Sequence, residues 1–467
     1  MTPHPASLIV PVENQVRELD PKLLLACAAA ERGFRVFIGS RTRVDFRIAS
    51  FPRSIYLSKS MTPKSGRMFQ IMRQLGHAIA TLDEEGLIYH SADEYFARRI
   101  SDQTLGMSSL LFAWGDASAE LLRSHPSFGN TPLHVTGNSR IDLMRPELRA
   151  YFDADIDAIR RRLGRFVLIN TNFSKVNAYF PRMNLLIPPA NPGEASALGA
   201  AGVGLPRAFA EGLAAHKGAL FEAFQQMLPV LHDAFPEHQF VVRPHPSENR
   251  EPWKLAVQDL PRAHVIHEGN VIPWLAASEA LVHNGCTTGL EAFVMPKPAL
   301  SYRPVTAGVY DLDLPNELSQ QCTDLAALQK TLGEVLVNGA GCRHDDAQRR
   351  LIDHHLAGRE GPLAADRIVD VLADFAAAPQ RIPTRGSRLR GWFAAHQRSL
   401  VKRHIMARIP QHRNNPGYQR NRYQGVSESQ LSERIGRLGS CLGRFRGLRA
   451  TAVAEHVHEI IGSGRAA

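Results

Sequence analysis

Short apolar runs rich in β-branched residues alternate with segments of helical periodicity along most of the chain. This alternation is typical of parallel sheets whose strands are connected by crossover helices. The series restarts once, after a charged helix near residues 156–163. It predicts these strands: Ser7–Val12, Arg35–Ile38, Ser54–Tyr56, His77–Leu82, Leu110–Trp114 and His134–Thr136, then Phe166–Asn170, Gln239–Arg243, His264–His267, Ala280–His283 and Pro298–Tyr302.

Two successive α/β halves predict two Rossmann-like lobes that face each other across a cleft. The chain has 467 residues, more than one ordinary domain. We therefore expect an N-terminal lobe at 1–160, a second lobe at 161–376 and a basic, mainly helical extension at 377–467. In open α/β sheets, ligands bind beyond the carboxyl ends of the strands. Each polar cluster of this chain follows such an end.

Helix boundaries are signalled at two places. Asp20 followed by Pro21 predicts an N-cap and a first helical residue. Residues 176–206 are rich in Pro, Gly, Asn and Ala, which predicts a long loop before a helix near Ala219–Phe235. A loop of that length is typical of a lid, a binding loop or disorder.

The net charge of +10 is unevenly distributed. Residues 381–467 hold 17 Lys/Arg and 4 Asp/Glu, whereas the remainder holds 38 basic and 41 acidic residues. A nucleic-acid-binding surface over the main body is therefore not expected. Five scattered cysteines without a CxxC pair indicate a reducing compartment. With no signal peptide or apolar span in the sequence, we expect a cytoplasmic protein.

A run of three acids, Asp83, Glu84 and Glu85, follows the predicted strand His77–Leu82. Repulsion among adjacent carboxylates can raise a pKa toward the range of a general base. Gly86 then allows a close approach of substrate. The alternative interpretation is a solvated acidic turn.

A second cluster, Arg243-Pro244-His245-Pro246-Ser247-Glu248, ends the strand Gln239–Arg243 and continues beyond it. The two prolines fix the backbone around His245. The imidazole and the Arg243 guanidinium are both suited to a phosphate group. The alternative is a structural turn.

The third cluster runs from His283 to Glu291 and opens a helix. Backbone N–H groups at a helix N-terminus, together with the hydroxyls of Thr287 and Thr288, are suited to bind an anion. Glu291 is placed to accept ribose hydroxyls. The alternative is helix capping by Thr287 or Thr288, and Cys286 is most simply a packed residue. No P-loop, dinucleotide fingerprint or metal-spaced cluster is present, so no cofactor and no metal are expected.

In their order, these clusters resemble the motif set of bacterial sialyltransferases and Kdo transferases of the GT-B fold. The whole chain is similar to the bacterial surface carbohydrate biosynthesis protein family. The resemblance covers Ser7 to about Ala376. The matching stretches are Val16 to Asp20, Leu82 to Gly86, Thr136 to Asp142, Ile169 to Phe173 and Arg243 to Pro246.

The resemblance implies a metal-independent glycosyltransferase with a GT-B fold. The acidic motif supplies the catalytic carboxylate, which is Glu84 or Glu85, with Asp83 beside them. It implies that Arg243, His245, Asn284, Thr287, Thr288 and Glu291 bind the nucleotide sugar. It also implies that Arg17, Asn138, Arg140 and Asn172 contact the acceptor or the donor sugar.

The implied reaction transfers Kdo or a sialic-acid-like nonulosonate from its CMP form to a glycan or lipid-linked acceptor, in lipopolysaccharide or capsule synthesis. Two alternatives remain open at this point. One is an isomerase similar to UDP-sugar 2-epimerases, which share the two-lobed fold. The other is a non-catalytic scaffold for polysaccharide assembly.

The basic tail contains apolar residues at roughly helical spacing between residues 381 and 410, a segment with eight Lys/Arg and no acid. A basic amphipathic helix can lie on an anionic membrane surface. We therefore expect either peripheral contact with the inner membrane or packing of this helix on the body. A further helix is expected from Ser427 to about Leu442, in a small terminal subdomain.

Overall fold

The structure, a computed structural model, describes residues 6–189, 191, 194–338 and 344–462. Its strands are β1 Ser7–Val12, β2 Arg35–Ser40, β3 Ser54–Ser58, β4 Ala78–Leu82, β5 Leu110–Ala113, β6 Leu133–Val135, β7 Phe166–Asn170, β8 Leu186–Ile187, β9 Ala197–Leu198, β10 Gln239–Arg243, β11 Ala263–Val265, β12 Ala280–His283, β13 Ala299–Tyr302, β14 Gln320–Cys322, β15 Arg449–Ala454 and β16 Val457–Ile461.

The helices connect these strands and also fill most of the C-terminal region. They are α1 Gln15–Glu31, α2 Arg41–Phe46, α3 Gly66–Leu75, α4 Ala92–Arg99, α5 Asp102–Met107, α6 Asp116–Arg123, α7 Ser139–Asp142, α8 Asp153–Leu163, α9 Arg207–Ala234, α10 Glu251–Val257, α11 Val271–Ala277, α12 Thr287–Val294, α13 Asp313–Glu317, α14 Leu325–Asn338, α15 Asp346–His355, α16 Ala364–Ala377, α17 Arg385–Leu400, α18 Pro416–Arg422 and α19 Glu428–Leu442.

The chain divides into two compact units. The first unit comprises Met1–Leu87, Arg98–Tyr151 and Asp353–Ala467. The second unit comprises Ile88–Ala97 and Phe152–Ile352. Each unit contains one large sheet, as the two α/β halves of the sequence predict. The expected placement of the lobes across a cleft stays a prediction.

The sheet of the first unit has the strand order β15-β16-β2-β1-β3-β4-β5-β6. The six strands from β2 to β6 are parallel, and β16 pairs antiparallel with β2. All six residues of β1 are buried, as expected for a central strand of a parallel sheet covered on both faces. The carboxyl end of β4 leads directly into the acids at 83–85.

The sheet of the second unit has the order β11-β10-β7-β12-β13-β14, and all its strands are parallel. Its two faces pack into separate cores. Val167 and Ile169 of β7 contribute to one core with Phe224 of α9, whereas Phe166 and Leu168 contribute to the other with α11. This alternation explains why β7 reads as a continuous apolar run in the sequence.

The start of α1 differs from the prediction. Asp20 and Pro21 lie inside the helix, which begins at Gln15 with Asn14 as its N-cap. Asp20 is buried and accepts a hydrogen bond of 2.8 Å from the Tyr151 hydroxyl, and it pairs with Arg434. The Asp20 carboxylate therefore binds residues distant in sequence and does not form the helix cap that the sequence predicted.

The predicted loop 176–206 ends where α9 begins, at Arg207, so the helix starts earlier than the predicted Ala219. Gly212, which reads as a helix breaker, lies inside α9, where an added Cβ would be 1.9 Å from the Tyr310 hydroxyl. Close packing therefore explains this glycine. The segment before α9 contains the antiparallel pair β8–β9. Ala190, Pro192 and Gly193, also in the predicted loop, lie outside the described residues.

The C-terminal region is not the separate extension predicted at 377–467. Residues from Asp353 onward belong to the first unit, and the β15–β16 hairpin extends its sheet beyond β2. Val457 and Ile460 of β16 are buried there. The two strands were missed because their apolar residues are few and their sheet partner lies more than 400 residues away in sequence.

Gly39→Ala tests the docking of this hairpin. A Cβ at Gly39 would lie 2.2 Å from the His456 carbonyl oxygen and 2.7 Å from the Val457 Cα, both backbone atoms. We expect a loss of about 2 kcal/mol or more in the free energy of unfolding, because overpacked backbone must shift. Thermal unfolding measures the change. Gly129→Ala, where a Cβ meets nothing within 4 Å, is the control; equal stability of the two variants would contradict the pairing of β16 with β2.

Candidate functional site

The acidic loop after β4 is fixed to the first unit through Asp83. Its buried carboxylate pairs with Arg99, whose Nε donates to Oδ2 at 3.0 Å. Its backbone carbonyl accepts from the indole Nε1 of Trp114 at 2.7 Å. Asp83 therefore acts as an anchor of this loop in the structure.

Among the three acids at 83–85, Glu84 contacts residues from several other segments of the first unit. Asn138 donates its Nδ2–H to Oε2 at 3.3 Å, and the Lys22 ammonium lies 3.6 Å from Oε1. Arg17 donates to the Glu84 backbone carbonyl at 3.2 Å. The side chain is 11% exposed. Arg17 and Asn138, both predicted from the sequence as sugar-binding residues, thus contact Glu84, which was predicted as a catalytic residue.

Glu85 points to solvent, with 47% of its side chain exposed, and pairs with Arg99 at 2.8 Å. The expectation that crowding raises a pKa in this run is wrong for Glu85. Desolvation opposes its ionisation, but the positive charges of Arg99, Lys59 and Arg17 outweigh that effect and lower its pKa. A carboxylate with a lowered pKa is a weaker base.

A buried charge network, which sequence analysis missed, supports this loop. Glu18 is buried and pairs with Lys22 at 2.7 Å and with Lys59 at 3.3 Å. Lys59 also contacts Glu13 at 2.9 Å. Burial opposes ionisation of Glu18, yet the two lysines lower its pKa. The spacing of Glu18 and Lys22, four residues apart on a helix, was the one signal in the sequence.

Asn138 and Arg140 lie in the short segment after β6, where both are buried. Asn138 is the N-cap of α7 and accepts from the Arg140 backbone N–H at 2.9 Å. At the other end of α7, Asp142 accepts from the backbone N–H groups of Ala364 and Ala365 at 2.8 Å each. This segment is therefore held rigidly beside Glu84.

In the second unit, the ends of three adjacent strands lie in register. Asn170 of β7 is paired with Arg243 of β10 on one side and with His283 of β12 on the other. The three loops that follow therefore start from the same edge of the sheet. This edge is where open α/β sheets bind ligands.

Arg243 is buried, and its fork is directed at two backbone carbonyls. It donates to the Glu268 oxygen at 2.7 Å and to the Gly269 oxygen at 2.6 Å, and it stacks over the Trp274 ring. Burial lowers its pKa to about 10. In this structure Arg243 holds the segment before α11, rather than presenting its guanidinium to a ligand.

His245 is half-buried, and its ring is oriented by the backbone. The N–H of Ser247 donates to Nδ1 at 3.2 Å. In the neutral imidazole this bond assigns the proton to Nε2. The His245 backbone N–H donates to Glu248 at 3.1 Å.

Glu248 organises this edge and was not among the predicted site residues. Its buried carboxylate accepts from the Thr171 hydroxyl at 2.9 Å, the Phe173 N–H at 2.9 Å and the Trp253 indole at 3.0 Å, besides His245. Burial raises its pKa to about 7, although these donors oppose the shift. Its donors come from both sides of the predicted residue Asn172, which is half-buried.

The third cluster lies at the start of α12. The N-cap is Cys286, and its side chain makes no cap hydrogen bond. Its thiol instead contacts the Thr288 hydroxyl at 2.6 Å, and burial raises its pKa to about 11, in agreement with a packed residue. Thr287 is half-buried and Thr288 buried. Neither threonine is the N-cap, so the alternative of capping by Thr287 or Thr288 is wrong.

Two buried polar residues flank that helix start. Asn284 is 4% exposed, and neither its Oδ1 nor its Nδ2 has a hydrogen-bond partner among the described residues. Glu291 is buried in α12. A buried amide without partners is rare in folded proteins and indicates a site for a polar ligand or water.

No group of three or more His, Cys, Asp or Glu that could hold a metal ion occurs within the described residues. The first unit thus offers a carboxylate positioned by an amide and an ammonium group. The second unit offers an imidazole N–H donor and a helix N-terminus at one sheet edge. The former suits proton abstraction, and the latter suits anion binding.

No protein-family model matches the chain, and no curated protein matches it. Among solved structures, it is similar to the wall teichoic acid polymerase TagF, with a TM-score of 0.52 and 11% identity over 80% of this chain and 90% of TagF. A TagF structure soaked with CDPG has a TM-score of 0.51 and 11% identity, over 79% of this chain and 88% of that chain.

A putative UDP-N-acetylglucosamine 2-epimerase from Listeria monocytogenes matches with a TM-score of 0.49 and 14% identity, over 82% of this chain and all of that chain. At such low identities, likeness concerns the fold alone. The fold is the GT-B-like α/β fold with Rossmann-like parallel sheets, and this prediction is confirmed.

Glu248→Gln tests the buried carboxylate, since glutamine mimics its protonated form. The folded-state pKa of about 7 lies above the usual 4.5, so the stabilising contribution of Glu248 is complete below pH 4.5 and is lost as pH rises through 7. We expect wild-type stability to fall by up to about 3 kcal/mol relative to the variant between pH 4.5 and 8. Denaturant unfolding across this range measures it.

The control for this experiment is Glu251→Gln at an exposed position nearby. Its stability difference from wild type should stay constant over the same pH range. A constant difference for Glu248→Gln as well would mean that Glu248 is ionised throughout.

Proposed function

We propose that the protein is a glycosyltransferase that uses a nucleotide-activated sugar to extend a bacterial surface polysaccharide. The observation that carries the proposal is the register of Arg243, Asn170 and His283, because it brings the His245 loop and the start of α12 to one sheet edge. Nucleotides bind at such edges in doubly wound sheets.

The second unit is the proposed donor-binding unit. The Nε2–H of His245 and the N-terminus of α12, with Thr287 and Thr288, stabilise negative charge on the leaving phosphate. Asn284 and Glu291 bind the remaining polar groups of the nucleotide. Arg243 contributes by holding the segment before α11 in place.

Glu84 is the proposed general base, which deprotonates the acceptor hydroxyl in an inverting transfer. Asp83 is committed to Arg99, and the pKa of Glu85 is lowered. Glu84 instead has an amide and an ammonium group that hold its carboxylate. Arg17 and Asn138 contact Glu84 and are proposed sugar contacts. Arg140, which follows Asn138 in α7, and Asn172 in the second unit are further proposed sugar contacts.

The proposed donor is CMP-activated Kdo or a sialic-acid-like nonulosonate. Support comes from the order of the acidic, His-Pro and Thr-Thr clusters, which resembles that of CMP-dependent transferases. TagF, which shares the fold, was soaked with CDPG. CDP therefore belongs beside CMP among the nucleotides to be tested.

A thermal-shift panel with CMP, CDP, UDP and GDP tests the donor assignment. A ligand at 100 times its Kd stabilises the native state by about 2.7 kcal/mol. We expect CMP to raise the Tm most, by about 3 °C or more. A preference for UDP or GDP would overturn the donor, and epimerised UDP-GlcNAc among the products would favour the isomerase.

Glu84→Gln separates catalysis from binding. We expect it to retain the nucleotide-induced Tm shift and to lose transfer to a glycan acceptor by about 10²- to 10⁴-fold, because the general base is removed. Glu433→Gln, on the exposed face of α19, is the control and should keep wild-type activity. Full in vivo function of Glu84→Gln would support the scaffold alternative.

The acceptor is proposed to be lipid-linked, and the surface of α17 supports a peripheral membrane contact. This helix packs on α3 and α2, and its buried residues are small: Gly391, Ala395 and Ser399. An added Cβ at Gly391 would lie 2.9 Å from the Gln74 Cβ, which shows how close the two helices are. Helix α17 thus packs on the first unit, which was one of the two expectations for the basic tail.

The large apolar side chains of this region are exposed instead of buried. They are Leu389, Trp392, Phe393, Leu400, Ile405 and Ile409, and we call them the apolar face. Exposed arginines, among them Arg388 and Arg390, flank it in a segment without acids. Aromatic and aliphatic side chains beside basic residues match the interface of an anionic bilayer. Across the described residues, no helix is long and apolar enough to cross a membrane.

Trp392→Ala combined with Phe393→Ala tests the apolar face. We expect binding to vesicles with 30% phosphatidylglycerol to fall about tenfold or more in a flotation assay, because both rings lose insertion into the interface. Leu255→Ala with Val309→Ala removes equally exposed apolar groups of the second unit and should not change binding. If the wild type ignores vesicles but forms a dimer that the double variant lacks, the face is a self-association surface instead.

A further inference from the structure

Lys217 of α9 is a buried lysine without a visible partner. The residue is 3% exposed. Among the described residues, no hydrogen bond or ion pair engages its ammonium group. An isolated buried charge is costly, so such a group is normally paired or binds a ligand. Lys217 was not among the residues singled out in the sequence.

The segment around Lys217 packs near the start of α12. The preceding residue of α9, His216, places its Nε2 3.2 Å from the Asp311 carboxylate. The residue after Asp311, Leu312, lies against Gly285, where an added Cβ would be 3.7 Å from the Leu312 Cβ. Cys286 is the N-cap of α12. Asp311 is already engaged by Arg303 at 2.6 Å and by the Ala307 N–H at 2.9 Å. The lysine therefore contributes a positive charge beside the positive end of the α12 dipole.

Asn284 supplies a second and independent observation. It lies two residues before the same N-cap, and both of its side-chain polar atoms are buried without partners in the described part of the chain. A cation, an amide and a helix N-terminus together satisfy the oxygens of a phosphate group. Of the three, the Asn284 amide is the group whose two polar atoms are buried and unpartnered among the described residues.

We infer that Lys217, with Asn284 and the N-terminus of α12, forms the subsite that binds the phosphate of the donor nucleotide. This inference rests on the proposed function for the identity of the nucleotide, but the subsite itself recognises phosphate. It makes Lys217 a binding residue, contributed by a helix remote in sequence from the Thr287-Thr288 pair.

The subsite has a characteristic pH dependence. Burial lowers the pKa of Lys217 to about 8, although Asp311 and Cys286 oppose the shift. The neighbouring His216 and His90 have lowered pKa values because of burial, and burial raises that of Cys286. These neighbours keep one protonation state from pH 7 to 9. Phosphate binding requires the ammonium form and therefore weakens as pH rises past 8, by up to about tenfold per pH unit.

Lys217→Met tests the subsite by calorimetric titration with CMP, cytidine and inorganic phosphate between pH 7 and 9. We expect the variant to bind CMP about 10- to 100-fold more weakly, because a charge-assisted contact is lost. Cytidine, which lacks the phosphate, should bind both proteins equally. The weakening above pH 8 should vanish in the variant. The variant should unfold at the same or a higher temperature, because a buried unpaired charge is removed.

Lys330→Met, at an exposed lysine of the same unit, is the control and should bind CMP as the wild type does. Unchanged affinity of Lys217→Met for CMP, with wild-type binding intact, would overturn the inference and leave the proposed function standing. Lys217-dependent binding of inorganic phosphate without any nucleotide binding would uphold the subsite and contradict the proposed function. Binding of neither ligand by the wild type would contradict both.

Discussion

The parallel register of the strands determines which loops of this protein begin side by side. In a parallel sheet every strand delivers its following loop to the same edge, whatever the sequence distance between the loops. In the second unit, β10, β7 and β12 end level with one another, so residues near 170, 243 and 283 start their loops side by side. Without that register, the His245 loop and the start of α12 would not begin at one edge of the sheet.

Buried carboxylates then fix the loops that the register delivers. Glu248 accepts hydrogen bonds from two loops and a helix, and Glu18 pairs with two lysines below the acidic loop. Their electrostatics differ, because burial dominates at Glu248 whereas the neighbouring cations dominate at Glu18. In both places, a carboxyl group withdrawn from water is engaged by several donors or cations, which keeps the neighbouring backbone rigid.

Much of the fold could be predicted from the sequence, because strands buried on both faces leave continuous apolar runs. The bounds of β1, β7, β10 and β12 were predicted as the structure has them. Local signals failed where a distant segment competes for the same group. Asp20 binds Tyr151 and Arg434 instead of capping a helix, and the hairpin at the end of the chain depends on an edge formed by β2.

The same limit applies to the candidate site. Motifs at strand ends predicted Glu84 or Glu85, His245 and the start of α12 as candidates, because these residues stand beside recognisable turns. Glu18, Glu248 and Lys217 lie within helices or loops with ordinary local sequence, and their importance comes from burial and from neighbours that only folding supplies. Glu248 stands in the second cluster of the sequence but was assigned no role there, whereas nothing near Lys217 in sequence distinguishes it.

The pairing of β16 with β2 has a consequence for biosynthesis. The segment Phe152–Ile352 makes up most of the second unit, and it leaves the ribosome as one continuous stretch. The first sheet, however, acquires its last strands only when residues 449–461 have been translated. Contacts of such long sequence separation form slowly. Until then the edge of β2 is open, so the nascent protein spends the end of its synthesis with an unpaired strand that chaperones have reason to cover.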